Sequence, residues 1–594
     1  MSDNNLQPNS DPNVGFKVPD GEVGDFFPLE REQPPSDTFE IGLALGGTVS
    51  AGTYTAGVLD FLIQALDAWT AAKNASDLSA PKHKVIIKIM CGTSGGGVNA
   101  VLLSRALAYA FPHYDPASRS APNPLHDVWV EGIDIHELLK TEDLDGAKQV
   151  SSLLCAKCID RAAVLAGSYE GQPLGTLGTP PVRDYVERLL PVVVTLTNLR
   201  GVPYSTNFRS AQDRKEFYTD RADHIRFRVD VTGKAPPAPG NLQPYETGIS
   251  NVPSNVTKPW SVIVNAARGT SAFPVGLPPA VIERNVEHYR YRYAVIDALG
   301  ERKAVWMMPE WPYLIAEGFT KDDPYKFLCV DGGCFNNEPV NFAREWLAGV
   351  IGTNPRGGSE AHRAVILVDP FADAAAIGPV SDEGMLSTAF STIGAFSSGA
   401  RYQTADLSLF TDKDVYSRFL VNPVRKDPSN PAGNPWTGGE AIAASGLAAF
   451  MGFMCRDFRE HDFLLGRLNC QSFLRKHFTL KPDNKLFDGW TPDQKKQFMT
   501  DDGDLPVIPL VGTAAIRLQA PDWPKNKFDP ESIRSLIDKR LEKVAGMEAS
   551  PLLAGLCWPF PGLVVKGLQL LGGKATGWIV DMIKKELKKT GLIA

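Results

Sequence analysis

The chain has 594 residues, which is too long for one compact core and predicts two domains or one large domain with additions. With 43% hydrophobic and 22% charged residues its composition is that of an ordinary globular protein, and its net charge of −7 supplies no strong positive field for phosphates. We therefore expect no nucleic-acid partner. No signal-peptide pattern is visible, and no apolar run approaches the roughly 20 residues that cross a bilayer, which predicts a cytoplasmic protein.

The first part of the chain alternates between strand and helix patterns. Residues 1–38 are polar and rich in Asp, Asn and Pro, which predicts a disordered arm. The apolar runs 39–45 and 85–91 predict buried strands, and each one ends in a glycine-rich turn. A helix is predicted after each turn, the first from Leu59, Leu62 and Leu66, which share one helical face. This alternation predicts an α/β fold with a largely parallel sheet.

The remaining elements extend this pattern and then change it. Further buried strands are predicted at 192–196, 261–264, 327–330 and 364–368, with helices between 104 and 190 and antiparallel additions at 220–235 and 284–306. Residues 371–440 are rich in Gly, Ser, Pro and Asp and predict ordered loops with short helices. Helices are then predicted from Glu440 onward, at 531–546 and at 575–589. We predict an α/β domain at 39–370 and a mainly helical C-terminal extension at 371–594.

The eight cysteines do not form a recognisable metal or redox site. Cys155 and Cys158 form a CxxC pair, but no second pair with zinc spacing follows. We expect buried, reduced thiols, and we expect that the protein needs no metal and no cofactor.

The strongest chemical signal is Gly92-Thr93-Ser94-Gly95-Gly96. It lies between a predicted strand and a predicted helix, the context in which a G-x-S-x-G turn lifts a serine hydroxyl above the edge of a sheet. The free N–H groups at the start of the helix carry partial positive charge and point to the same place. We therefore predict that Ser94 is a nucleophile and that Gly92 and Gly96 support its turn.

A serine hydroxyl is a poor nucleophile and needs a base. Histidine is the usual one, but His362, His461 and His477 do not lie in glycine-rich loops at strand ends. Asp331 ends an apolar strand before Gly332 and Gly333, which predicts a place at the carboxyl edge of the sheet. Partial burial can raise the pKa of such a carboxylate toward the working pH. We predict that Asp331 is the base, with Gly332 and Gly333 supporting it, and keep a Ser–His–Asp esterase as the alternative.

Three blocks of the sequence, in this order, resemble the patatin-like phospholipase family. Leu43 to Gly57 is similar to its oxyanion loop and first helix, Gly92 to Ala100 to its serine motif, and Asp331 to Pro339 to its aspartate motif. Two weaker matches to the family are Thr197-Asn198-Leu199 and the stretch from Ala267 to Pro279. The C-terminal part resembles the extensions of larger bacterial members of the family. The resemblance implies a three-layer α/β/α fold and a Ser–Asp dyad that hydrolyses lipid acyl esters through an acyl-serine intermediate.

The oxyanion loop departs from the family pattern of three glycines followed by a basic residue before the next glycine. Here the loop reads Gly47-Thr48-Val49-Ser50-Ala51-Gly52, so one glycine of the run remains and Ala51 stands where Arg or Lys is usual. Backbone N–H groups hold an oxyanion, and we expect Gly47, Thr48 and Val49 to donate together with Gly95. Because β-branched residues resist the φ values that glycine accepts, the loop leaves open whether activity is constitutive or conditional.

The sequence thus predicts a serine lipid acyl hydrolase of the phospholipase A or lysophospholipase type, acting on phospholipid or another acyl lipid. Two alternatives stay open: a membrane-degrading effector gated by a ligand or by oligomerisation, and a catalytically weak module for binding or signalling. The helix at 575–589 has an apolar side and a lysine-rich side, which fits peripheral contact with a membrane or docking on the protein body. Docking is the favoured interpretation.

Overall fold

The structure is a computed structural model, and it describes residues 21–108, 111–115, 123–168, 182–207, 215–232, 244–250, 258–298, 300–310, 316–318, 320, 323–372, 404–426, 433–552 and 573–593. Its strands are β1 Thr38–Leu45, β2 Lys84–Gly92, β3 Leu189–Asn207, β4 Lys215–Asp230, β5 Thr247–Ser250, β6 Ala280–Asn285, β7 Tyr293–Ala298, β8 Glu301–Trp306, β9 Pro324–Val330, β10 Arg363–Val368, β11 Arg418–Val421, β12 Val424–Arg425, β13 Trp436–Thr437, β14 Thr479–Leu480 and β15 Leu505–Pro506. The α-helices of seven or more residues are α1 Gly52–Asn74, α2 Gly95–Ala106, α3 Lys157–Ser168, α4 Lys258–Thr270, α5 Val340–Ala348, α6 Thr404–Thr411, α7 Arg456–Lys476, α8 Pro492–Phe498, α9 Arg534–Leu552 and α10 Gly573–Lys589.

A mixed sheet of nine strands forms the centre of the described chain. Seven of its strands follow the order β11-β10-β1-β2-β3-β4-β5, while β9 pairs with β3 and β6 pairs with β9. The pairs β10–β11, β10–β1, β1–β2 and β2–β3 are parallel, so the carboxyl ends of these strands meet at one edge. Strand β3 is long enough to pair antiparallel with both β4 and β9, which brings the end of β9 to the same region.

Helices cover both faces of this sheet. All eight residues of β1 are buried, as expected for a parallel strand between two helical layers. On one face α5 packs Ala343 and Leu347 against Gly42 of β1. The other face carries α1, α2 and α4 in the larger hydrophobic core. The predicted three-layer α/β/α fold with a mostly parallel central sheet is therefore confirmed, and the C-terminal region is mainly helical. Within the described residues, no helix combines the length and the apolar character that crossing a bilayer requires.

The strand predicted at 261–264 is wrong, because these residues lie inside α4. Trp260, Ile263 and Ala267 are buried at helical spacing, so packing of one helical face overrides the local preference of valine and isoleucine for strands. The sequence predicts an antiparallel addition to the sheet at 220–235. In the structure most of this stretch belongs to β4, which is one of the main strands of the sheet. Between 104 and 190 the helices in the described residues are the end of α2, α3 and short helical turns, and β3 already begins at Leu189. Residues 109–110, 116–122 and 169–181 lie outside the described part.

The N-terminal arm and the C-terminal region both contact the predicted α/β domain. Within the arm at 1–38, residues 1–20 lie outside the described part, but Val23 and Phe27 are buried against the β7–β8 hairpin because this polar stretch contains anchoring aromatic side chains. The C-terminal region supplies the edge strand β11 of the central sheet. It also packs α7 along α1, where Gly57 lies against the Phe463 backbone and a buried ion pair joins Arg467 to Asp60. A strand pairing and a helix–helix contact thus connect residues 39–370 with the C-terminal extension.

The helix predicted from Glu440 is broken, and regular helix begins only at Arg456. The preceding residues form short turns, because Leu447, Ala448 and Ala449 all have positive φ values between +52° and +70°. At the other end of the chain, α10 docks on the protein through Val580, Ile583 and Leu587, as favoured from sequence. Residues 373–403, which belong to the predicted loop region, lie outside the described part.

Candidate active site

Ser94 lies in a sharp turn between β2 and α2. Its backbone has φ +51° and ψ −128°, a conformation that costs a non-glycine residue roughly 1–3 kcal/mol. Glycines allow the turn, because a β-carbon at Gly92 or at Gly96 would collide with neighbouring backbone atoms. The Ser94 N–H donates to Thr270 Oγ1 over 2.8 Å, so the end of α4 holds the turn in place. Backbone strain of this kind is typical of functional sites.

Asp331 follows β9 at the same edge of the sheet and caps the turn Gly332–Cys334. Its Oδ1 accepts a hydrogen bond from the Gly333 N–H at 2.8 Å, which orients the carboxylate. Its backbone is held on both sides: the N–H donates to the Ala272 carbonyl at 2.9 Å, and the carbonyl accepts from Thr197 Oγ1 at 2.7 Å. A β-carbon at Gly332 would collide with the Thr195 carbonyl, which explains the glycine at this position.

The two side chains meet directly. Ser94 Oγ donates to Asp331 Oδ2 over 2.6 Å, within the range of a charge-assisted O–H···O⁻ bond. Burial raises the pKa of Asp331 from 3.8 to about 6, while the hydrogen bonds from Ser94 and Gly333 lower it by less. A carboxylate with this pKa is ionised at neutral pH and is still basic enough to take a proton from a hydroxyl group as that group attacks.

The loop between β1 and α1 runs beside this pair. Its Val49 has φ +47°, a value that a β-branched residue adopts only at a cost. Among the described residues no acceptor is found for the amides of Thr48, Val49 or Gly95, so these predicted donors are free. The Gly47 amide, also predicted as a donor, donates to the Asn337 carbonyl at 3.1 Å and is thus engaged by the protein itself.

The Thr48 side chain is a feature that the sequence did not single out. Thr48 is 1% exposed, and its buried hydroxyl group has no hydrogen-bond partner among the described residues. It lies so close to Gly95 that a β-carbon on this glycine would collide with it. A buried donor of this kind, next to a free amide, is a costly arrangement unless a ligand completes it.

An apolar pocket opens at the Ser94 hydroxyl. Its wall is formed mostly by carbon atoms, among them those of Val49, Val98, Val101, Trp129, Leu277 and Phe453. The polar side chains in the wall, besides Ser94 and Asp331, are Arg268 and Ser271. Arg268 forms an ion pair of 2.6 Å with Asp160, which joins α4 to α3 beside the pocket. A long apolar chain with one anionic end is the kind of ligand that suits such a lining.

The histidines have other partners. His362 Nδ1 contacts the Glu360 carbonyl at 3.1 Å, and His461 is buried in α7 beside Asp462. No histidine is among the described residues that line the pocket. The sequence assigns no role to Thr270, although it lies in the matched stretch from Ala267 to Pro279, and it assigns none to Phe453, because a phenylalanine far along the chain carries no local signal.

The only group of potential metal ligands in the described part of the chain is His126, Glu131 and Glu460. Arg456 forms ion pairs with both glutamates, one of them at 2.8 Å to Glu460, so a guanidinium already balances their charge. The CxxC cysteines Cys155 and Cys158 are buried and free. The geometry thus gives no observation that calls for a metal at Ser94.

Comparison with known proteins identifies the family of the chain. A family model described as patatin-like phospholipase matches residues 43–344, which include Ser94 and Asp331. The chain is 32% identical over 546 residues to "Uncharacterized protein y4iI" of Sinorhizobium fredii (strain NBRC 101917 / NGR234), covering 85% of this chain and 75% of that protein. A solved structure, VipD from Legionella pneumophila, aligns over 94% of this chain and 89% of its own with 9% identity and a TM-score of 0.17, too low to carry an argument. The chain belongs to the patatin-like phospholipase family, a family of lipid acyl hydrolases.

Proposed function

We propose that the protein hydrolyses acyl esters of phospholipids, with Ser94 as the nucleophile and Asp331 as the base. The observation that carries this proposal is the 2.6 Å hydrogen bond from Ser94 Oγ to Asp331 Oδ2 at the head of an apolar pocket. A catalytic base has to lie within about 2.6–3.2 Å of the proton that it takes, and Asp331 meets this condition.

The reaction needs only these two side chains for its proton transfers. Ser94 Oγ attacks the ester carbonyl carbon while its proton passes to Asp331, and a tetrahedral intermediate forms. Asp331 then returns the proton to the leaving alcohol oxygen, the C–O bond breaks, and the acyl group stays on Ser94. Water attacks this acyl-serine with Asp331 again as the base. The fatty acid leaves, Ser94 recovers its proton, and the enzyme returns to its first state.

Backbone N–H groups that can donate hydrogen bonds to the negatively charged oxygen of the tetrahedral intermediate lie beside Ser94. We assign the amides of Thr48, Val49 and Gly95 to this role, because they have no acceptor among the described residues. We leave Gly47 out, since its amide is engaged by Asn337. Val49 already has the positive φ that glycine would supply, which supports a loop that is formed without an activator and therefore constitutive rather than gated activity.

The pocket supports a lipid as the substrate. Its apolar wall suits an acyl chain. One guanidinium nitrogen of Arg268 faces Asp160, and its other N–H groups favour a phosphate-bearing lipid over a neutral one. We propose that the enzyme reaches this substrate through peripheral contact with a membrane surface.

A fluorophosphonate probe and a lipid-release assay on mixed phospholipid vesicles test the proposal together. The wild-type chain should take up the probe at Ser94 and release free fatty acid, while Ser94→Ala should do neither. The control is Asp369→Asn, because Asp369 is also buried at this sheet edge but caps the Phe371 amide instead. A Ser94→Ala chain that still releases fatty acid at the wild-type rate would refute the assignment.

The alternative that is not an enzyme is a catalytically inactive binding module. The departures in the oxyanion loop favoured it at the level of sequence. Free amides and a formed Ser94–Asp331 hydrogen bond weaken it, because a module without chemistry has no need to keep a strained serine beside a buried carboxylate.

A further inference from the structure

The oxyanion loop is in contact with a distant part of the chain. Ser50, the residue after Val49, is completely buried. Its hydroxyl group donates to the Ala449 carbonyl and accepts a hydrogen bond from the Gly452 N–H at 3.0 Å. Both partners lie about 400 residues further on, in the segment 446–454 of the C-terminal region. The loop that would hold the oxyanion is thus tied at two points by a single side chain.

Both sides of this contact have an unusual backbone. Val49 has φ +47° on one side, and Leu447, Ala448 and Ala449 have φ +55°, +52° and +70° on the other. Residues with side chains rarely adopt such values, and three of them in succession persist only where the surroundings hold them. The Ser50 hydroxyl is the polar group that connects the two strained stretches.

The contact is also sterically tight. A β-carbon at Gly452 would lie 2.6 Å from Ser50 Oγ and 3.0 Å from Ser50 Cβ, distances that ordinary packing does not allow. Gly452 therefore allows the 446–454 segment to approach the loop closely enough for the hydrogen bonds. The loop lacks the usual glycines, and the glycine at position 452 instead gives the space in which the loop conformation is held.

The 446–454 segment is anchored firmly enough to act as a support. Asp462 of α7 accepts hydrogen bonds from the Ala443 and Ala444 amides just before the segment, at 2.8 and 2.9 Å. Buried Arg459 donates to the Gly452 carbonyl at 3.0 Å and, with its Nε, to the Val130 carbonyl at 2.9 Å. The segment also contributes Phe453 to the wall of the pocket at Ser94.

We propose that Ser50 is a positioning residue of the oxyanion loop and that the 446–454 segment is thereby part of the catalytic apparatus. This inference rests on the proposed function, since it concerns how the Thr48 and Val49 amides are oriented toward the negatively charged oxygen that forms when Ser94 attacks the ester. Ser50 does not touch the substrate. It holds Val49 in its positive-φ conformation through the hydrogen bonds to Ala449 and Gly452.

The rate at which a fluorophosphonate labels Ser94 in the full-length protein is the measurement of choice, because it does not require the lipid to be identified. In this reaction the bond from Ser94 Oγ to phosphorus forms, the P–F bond breaks, fluoride leaves, and the Ser94 proton passes to Asp331. The phosphoryl oxygen takes the place of the oxyanion. The inactivation constant kinact therefore reports the aim of the donors, while KI reports how well the probe is bound.

Ser50→Ala should lower kinact by roughly 10- to 100-fold, since a misaligned donor costs up to about 10²–10³ in rate, and should leave KI unchanged. Gly452→Ala should have the same effect by displacing the Ser50 hydroxyl. The double variant should be no worse than the poorer single variant, because both changes break the same contact. The control is Ser445→Ala, whose hydroxyl group lies in the same region but donates to the Ile442 carbonyl at 3.2 Å and not to the loop. Labelling is measured well below the melting temperature of each variant.

A wild-type value of kinact in Ser50→Ala would overturn the inference while leaving the proposed function intact. The inference would also be overturned if the losses of kinact in the two single variants multiplied in the double variant, because the two changes would then act independently. An equal loss of kinact in Ser445→Ala and Ser50→Ala would overturn it as well, because the effect would then be one of general stability. Label that persists in Ser94→Ala, or a wild-type chain that takes no label, would overturn the proposed function and this inference with it.

Discussion

Replacement of Asp331 by asparagine gives a prediction that separates the chemistry of the site from its stability. Asparagine is nearly isosteric with aspartate but carries no charge and does not act as a base. Asp331→Asn should therefore lower the rate of Ser94 labelling by two or more orders of magnitude. The folded state, in contrast, should become more stable at high pH.

The size of this stability effect follows from the pKa of Asp331. Burial raises it from 3.8 to about 6, so the folded protein holds the proton more tightly than the unfolded chain does. The stabilisation that protonation provides is complete below pH 3.8 and is lost as the pH rises through 6. At about 1.4 kcal/mol per pKa unit, the ionised carboxylate lowers the free energy of unfolding by about 3 kcal/mol at pH 8 and by about half of that at pH 5. Asp331→Asn removes this penalty.

Denaturant unfolding of the wild type and Asp331→Asn at pH 5 and pH 8 measures the effect. We expect the advantage of the variant to be larger at pH 8 than at pH 5 by about 1.5 kcal/mol, because effects that do not depend on pH cancel in this comparison. The labelling rate of the wild type should fall about tenfold per pH unit below pH 6 and level off above it. A difference between the two proteins that is the same at both pH values would refute a buried carboxylate with a raised pKa.

Four further predictions concern the loop, the pocket and the surroundings. Thr48→Val should raise the free energy of unfolding by about 1 kcal/mol, because it removes a buried hydroxyl that has no partner in the described structure; a lower melting temperature would show that this hydroxyl group is satisfied. Val49→Gly should keep or raise the labelling rate of Ser94, since glycine accepts φ +47° without strain, whereas a large loss would assign the role to the valine side chain rather than to its amide. Arg268→Gln should lower hydrolysis of phospholipids more than that of neutral acylglycerols, by about tenfold, and equal losses on both substrates would contradict a role in phosphate recognition. Hydrolysis should not change when EGTA is added, because no stretch of the sequence has the Asp- and Asn-rich pattern of a calcium loop, and activity restored by calcium would reveal a site of this kind.

The positions of Ser94 and Asp331 could be predicted because their signal is local. Each follows a short apolar strand and precedes glycines, and the carboxyl ends of strands meet at one edge of an α/β sheet. The sequence therefore marked both residues, but β9 runs antiparallel to β3, so only the pairing of these two strands brings Asp331 to Ser94. The fold class followed from the same alternation of strand and helix patterns, and the three motifs pointed to the family.

The contacts that shape the site were not readable from the sequence, because they join residues that are far apart in the chain. Nothing around Gly452 indicates that it faces Ser50, and three left-handed residues at 447–449 leave no mark in a run of apolar residues that favours helix. The strand predicted at 261–264 failed for a related reason, since the buried face of α4 is defined only by what it packs against. The sequence by itself determined where Ser94 and Asp331 lie, each in the turn after a strand, because strand, turn and helix are local. Only the tertiary structure decided how the oxyanion loop is held, because backbone strain persists only where distant residues pack around it.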